Sequence, residues 1–206
     1  MSIRTPRPKA GAARVARPEP GAARRIAFLR AINVGGHTVT MDRLRQLFER
    51  MGFREVETFI ASGNVVFEAA GSAASTEKTI AAGLEKALGH DVATFVRTPA
   101  ELADIAAYQA FGAADVARAQ AHCVGFLAEP LGKAAAAKLM ALRTEADDFH
   151  VHGREIHWLS RMKQSESAFS NAVFEKAVGV RATFRGVNTV RRMAAKYAPP
   201  GHGSAS

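Results

Sequence analysis

The chain has 206 residues, a mass of 22.0 kDa and a formal net charge of +9, long enough for one large domain or two small ones. Hydrophobic residues at 48% and charged residues at 23% are ordinary for a globular protein, and no apolar run approaches the roughly 20 residues that a membrane-spanning helix needs. Cys123 is the single cysteine, which excludes an intramolecular disulfide framework and points to a reducing, cytoplasmic setting.

The charge sits mostly at one end. Residues 1–25 carry seven basic side chains against Glu19 alone, which leaves 21 basic and 18 acidic residues for the rest. Residues 1–24 are rich in Pro, Gly, Ala and Arg and lack apolar periodicity, so they predict a disordered basic tail. Residues 199–206 predict a second one. No apolar h-region follows the N-terminal charges, which argues against a secretory signal.

Past the tail, "RIAFLRAI" at 25–32 predicts a buried strand. After Asn33-Val34-Gly35-Gly36, a helix capped by Thr40 places Met41, Leu44, Leu47, Phe48 and Met51 on one face and stops at Gly52. "EVETFIASGNVVFEA" reads as a hairpin around Ser62-Gly63-Asn64. A helix from about Ser75 to Leu88 and the strand "DVATFVR" complete the order β-α-β-β-α-β. Thr98, Pro99 and Glu101 form a capping box that opens a connecting helix. The pattern then repeats: "AHCVGFLAE" strand, "KAAAAKLMAL" helix, "DFHVHGREIHWL" hairpin, "SAFSNAVFEKAVG" helix, "VRATFR" strand. A last helix, capped by Asn188, puts Val190, Met193, Ala194 and Tyr197 on one face. "EKALGHDVATFVR" at 85–97 echoes "EKAVGVRATFR" at 175–185, which supports a duplication.

The expected architecture is therefore α+β, with two tandem ferredoxin-like units at 25–97 and 120–198, a helical connector at 98–119, and the final helix as an addition to the second unit. In this fold the strand order is 4-1-3-2, so the loop Asn33–Thr38 and the turn at Ser62-Gly63-Asn64 meet at one edge. Backbone N–H groups at a helix start favour anions, and glycines allow a ligand to approach. The competing reading is a tight chain exit with Asn33 and Asn64 capping backbone groups. A P-loop is excluded because no Lys-Ser or Lys-Thr follows the glycines, and the spacing of a dinucleotide fingerprint is absent.

"FLRAINVGG", "FIASGNVVF" and "ATFRGVNTV", in that order, resemble the domain of unknown function family numbered 1697, over about Arg25 to Tyr197. The resemblance implies a bacterial protein with two ferredoxin-like subdomains and no established activity. Its motif positions fall on Arg30, Asn33, Gly35, Gly36, Ser62, Gly63 and Asn64, and, in the last motif, on Arg185, Asn188 and Thr189. This sequence departs from the family at Ala31, where glycine is usual, at Gly186-Val187, where Asn-Trp is usual, and at Glu166, near a usual Ser-Lys.

Other clusters carry less. His150, His152, Glu155 and His157 share one face of their hairpin, and imidazole and carboxylate are zinc ligands. Nothing specifies a closed coordination shell, so the face reads as polar and outward, with no metal assigned. Cys123 reads as a buried inert thiol, and Asp147-Asp148 as a solvated pair. No catalytic residue or cofactor is assigned. The leading functional reading is binding of a small anionic or nucleotide-like ligand at the two loops. Nucleic-acid binding through the tail and last helix, and an enzyme of undefined reaction at the same loops, are the alternatives; no RNP-like aromatic pair on "NVVFEA" favours RNA. Oligomeric state is not encoded in any motif.

Overall fold

The computed structural model describes residues 21–33, 38–60 and 63–199; the expectations for residues 1–20, Gly35, Gly36, Ser62 and 200–206 lie outside them. The chain runs β1 (Ala23–Leu29), α1 (Met41–Arg50), β2 (Arg54–Thr58), β3 (Asn64–Ala69), α2 (Ala73–Leu88), β4 (Thr94–Arg97), α3 (Pro99–Ala107) and α4 (Ala113–Arg118). It continues with β5 (Ala121–Phe126), α5 (Lys133–Met140), β6 (Asp147–His152), β7 (Glu155–Ser160), α6 (Asn171–Val178), β8 (Thr183–Gly186) and α7 (Val187–Tyr197). The protein is a mixed α+β structure with two four-stranded antiparallel sheets, ordered β2-β3-β1-β4 and β6-β7-β5-β8, each with its own helices. Among the described residues no helix is long and apolar enough to cross a membrane.

Local chemistry explains most boundaries. Thr40 accepts a hydrogen bond from the Arg43 N–H at the start of α1, and Thr98 and Glu101 make a reciprocal capping box at α3, each satisfying N–H groups that a helix start leaves unpaired. α2 begins two residues earlier than the apolar pattern suggests, because Ser72 rather than Ser75 is its cap. α6 starts only after Ser170 and ends at Gly179 with φ 82°. The last helix also starts earlier than predicted: Gly186 is its cap and Asn188 already lies inside the first turn, with no side-chain cap. The connector contains a second short helix, α4, which its sequence did not announce.

Strand alternation sorts the apolar residues into three cores. Ala27, Leu29, Val65 and Phe67 pack against Leu44 and Phe48 of α1 and Ile80 and Leu84 of α2. In the second half Phe149, Ile156 and Trp158 pack against Leu139 of α5 and Phe174 of α6. The third core lies between the two sheets, where Ile26, Phe28, Val66 and Phe95 meet Val124, Phe126, Leu102 and Ile105 of α3, and Val190 and Met193 of α7. At its centre Phe28 and Phe126 stack with ring centroids 3.8 Å apart.

Two buried arginines flank this stack in corresponding places. Arg97 lies opposite Ile26 and Arg185 opposite Val124, each two residues before the stacked phenylalanine in the neighbouring strand. Arg97 donates to Glu155 Oε1 at 2.7 Å and to the Leu127 carbonyl at 2.7 Å, and sits over the Phe126 ring. Arg185 donates to Asn64 Oδ1 at 2.6 Å and to the Leu29 carbonyl at 2.8 Å, and sits over the Phe28 ring. Each arginine thus bonds to the opposite half. Asn64 and Glu155 also match in register, opposite Phe28 and Phe126.

Candidate functional site

The residues singled out in the sequence fall into two groups. The first surrounds the end of β1. Arg30 spans to the second half and meets Glu175 of α6 through two bonds, at 2.5 and 2.6 Å. Asn33 is exposed and its Oδ1 accepts from the Val39 N–H at 2.8 Å, closing the loop before α1. Gly63 adopts φ 73°, and its carbonyl accepts from the Leu29 N–H. A Cβ there would lie 3.1 Å from Ile32 Cγ2 and 3.2 Å from Leu29 Cβ, so both conformation and space call for glycine. Asn64 is fully buried, donating to the Phe59 carbonyl at 3.0 Å while accepting from Arg185.

Arg185 therefore lies next to the first-half motif, 121 residues downstream of Asn64. It also donates to Thr183 Oγ1 and the Phe184 carbonyl, and burial pushes its guanidinium down to about 10. It remains a cation at neutral pH. Arg185 and Asn33 line a cleft of about 390 Å³ between the halves, with Ala31, Trp158, Phe169 and Ser170 among the other walls. Such a volume suits a small ligand, and aromatic walls with a few polar groups are the usual composition of such sites. In the cleft wall Ala31 is left-handed without being glycine, at φ 58°.

The second group is elsewhere. Asn188 and Thr189 occupy the first turn of α7 and line a separate cleft of about 400 Å³ with Gln120, His122 and Arg191. The last sequence motif therefore divides, with Arg185 at the first cleft and Asn188 and Thr189 at the second. Trp158, Phe169 and Ser170 were not anticipated as wall residues. Ser170 was legible as part of a helix start, but nothing in the local pattern says that this start faces the β1–α1 loop.

Two further expectations change. Asp147 is not solvated: it is 5% exposed and accepts from Trp158 Nε1 at 2.8 Å and from Ser167 Oγ. The histidine face of the β6–β7 hairpin is only partly outward: His152 is exposed, whereas His157 is 2% exposed beneath Tyr108. Its register is as read, with His150 opposite His157 and His152 opposite Glu155. Among the described residues no group of three or more His, Cys, Asp or Glu is placed to hold a metal ion. Cys123 is buried, and desolvation pushes its thiol up to about 11, which makes a thiolate nucleophile unfavourable.

Fold and motifs together define a two-sheet α+β protein with Arg30, Asn33, Asn64 and Arg185 at the junction of the halves. The family described as "Protein of unknown function (DUF1697)" matches residues 23–157, and the chain belongs to it. The structure is similar to that of the conserved bacterial protein SP0830 from Streptococcus pneumoniae, with a TM-score of 0.64 and 21% sequence identity, over 85% of this chain and 98% of that one. That likeness concerns the fold. No curated protein matches the chain.

Proposed function

We propose that this protein binds a small anionic or nucleotide-like ligand in the cleft between its halves. The carrying observation is the juxtaposition of the buried Arg185 guanidinium with Asn33 and the aromatic walls Trp158 and Phe169 around about 390 Å³. A guanidinium with restricted hydration attracts phosphate or carboxylate more strongly than an exposed one, while the rings suit a flat apolar body. The sequence-level site is revised in this reading. Asn33 is the ligand contact, and Arg185, held by its own bonds to Asn64, Leu29, Thr183 and Phe184, supplies positive potential at the cleft wall. Arg30, Gly63 and Asn64 act as supports, because their described bonds hold the loop and the arginine in place.

The same reading takes the two halves as tandem ferredoxin-like units related by duplication, joined by the connector at 98–119. The repeated element order, the matching strand orders and the corresponding arginines support it. The first unit then begins at Ala23, where β1 starts, and α7 corresponds to α3 rather than being an addition, since each follows the fourth strand of its sheet.

Trp158 is the single tryptophan of the chain and lines the cleft, so its fluorescence reports occupancy. Titration with phosphate and with adenosine monophosphate at fixed ionic strength should give a saturable change that chloride does not. Arg185→Lys should weaken binding about tenfold by removing the planar fork while keeping the charge. Identical responses to phosphate and chloride would refute the proposal.

A further inference from the structure

The second sheet carries a layer of imidazoles that the cleft does not use. His122 on β5, His150 and His152 on β6, and His157 on β7 lie on the face turned towards α3 and α7. Residues 108–112, which link α3 to α4, cross this layer and touch every histidine in it. The Tyr108 ring stacks on His152 at 3.9 Å and lies 5.2 Å from His157. Its hydroxyl is hydrogen-bonded to His150 Nε2 at 2.7 Å. Phe111 meets His122 edge-on at 5.7 Å.

His157 is the buried centre of the layer. Neither of its ring nitrogens has a hydrogen-bond partner among the described residues, an arrangement that costs free energy unless something compensates. Packing alone does not demand it. Val66 fills the corresponding position of the first sheet, opposite Ile26 as His157 is opposite Val124. An imidazole with no partner, where a valine would pack, is what a proton-responsive element requires.

The surrounding charges sharpen this. Glu155, on the same strand, is bonded to Arg97, and Glu101 of α3 to Arg154 of the hairpin turn. Arg185 flanks Val124 from the other side, and burial first, then Arg191 of α7, disfavours a cation on His122. Asp104, on the exposed side of α3, is the remaining carboxylate near His157. A proton on His157 would therefore be buried and would sit about 6.4 Å from the His122 and His150 rings, so burial first and the neighbouring imidazoles second disfavour it.

We propose that residues 108–112 form an acid-released strap, held down over the neutral His157 ring and lifted when that ring takes up a proton. Lifting Tyr108 admits water to the His157 ring, which solvates the new cation and relieves its repulsion from its neighbours. Opening and proton uptake are then one linked equilibrium.

Hydrogen–deuterium exchange at the strap's Tyr108 amide, which donates to the Asp104 carbonyl, corrected for the intrinsic pH dependence, tests this in the full chain, with α1 amides as internal reference. Burial holds His157 down to about 4 from 6.5, so strap exchange should rise up to tenfold per pH unit as pH falls through that window. His157→Val, which copies Val66, should leave strap exchange flat with pH. A strap that tracks α1 at every pH, or a step that survives in His157→Val, overturns the proposal. Should that variant fail to fold, the wild-type His157 ring resonances decide. Titration near 6.5 with the Tyr108 amide still protected overturns the proposal, and titration that coincides with loss of protection supports it.

Discussion

Ala31 holds a left-handed backbone, φ 58°, beside the cleft. An L-residue with a Cβ is strained there by about 1 kcal/mol or more, while glycine adds unfolded-state entropy that offsets part of the relief. Ala31→Gly is therefore expected to stabilise the protein by about 0.5 kcal/mol, read as a raised urea midpoint at unchanged slope; a lowered midpoint would show that its methyl group contributes packing. Asn64 is the opposite case. Its buried side chain bonds to the Phe59 carbonyl and to the charged Arg185, so Asn64→Ala should cost about 2–4 kcal/mol, because it strands a guanidinium bond and a carbonyl away from water. A loss below about 1 kcal/mol in chemical denaturation would mean that Arg185 re-pairs readily. The turn chemistry of Gly63 and Asn64 is legible in "SGN". The partner of Asn64 is not, since a pairing across 121 residues leaves no local periodicity.

The elements were legible where their signals are local. Thr98, Pro99 and Glu101 mark α3, Thr40 marks α1, and alternation in β6 and β7 correctly separates the histidine face from the Phe149–Trp158 face. Alternation cannot say what covers a face, and α3 with its following strap arrives from a distant stretch of sequence. Hence the misreading of His157 as outward. Its burial has a pH consequence for global stability. The folded pKa lies below the unfolded one, about 4 against 6.5, so the unfolded chain binds the extra proton between these values. Stability from this group is full above about 6.5 and lost as pH falls towards about 4, at up to about 1.4 kcal/mol per pH unit. Stability curves of the wild type and His157→Val should diverge in that window and run parallel above pH 7. Parallel curves throughout would show that His157 is solvated in the folded state.

The two sheets share one central core, so the halves should not unfold separately. Phe28→Ala, in the first half, is expected to cost about 3–5 kcal/mol and to shift the unfolding seen by Trp158, in the second half, as much as that seen by far-ultraviolet circular dichroism. Two resolved transitions would contradict this. A double-mutant cycle with Phe126→Ala should return a coupling of about 0.5–1.5 kcal/mol for the stack. The same core has a consequence for synthesis in the cell. The first sheet is complete at Arg97 and α3 follows at once, but the rest of its inner face is covered only by β5 and by α7, whose last residue is Tyr197. At about 5–20 residues per second of translation, Ile26, Phe28 and Phe95 wait roughly 5–20 s for those partners on each ribosome. During that interval the nascent chain presents an incompletely covered apolar sheet face, which makes the growing polypeptide, rather than the finished fold, the species most in need of a chaperone.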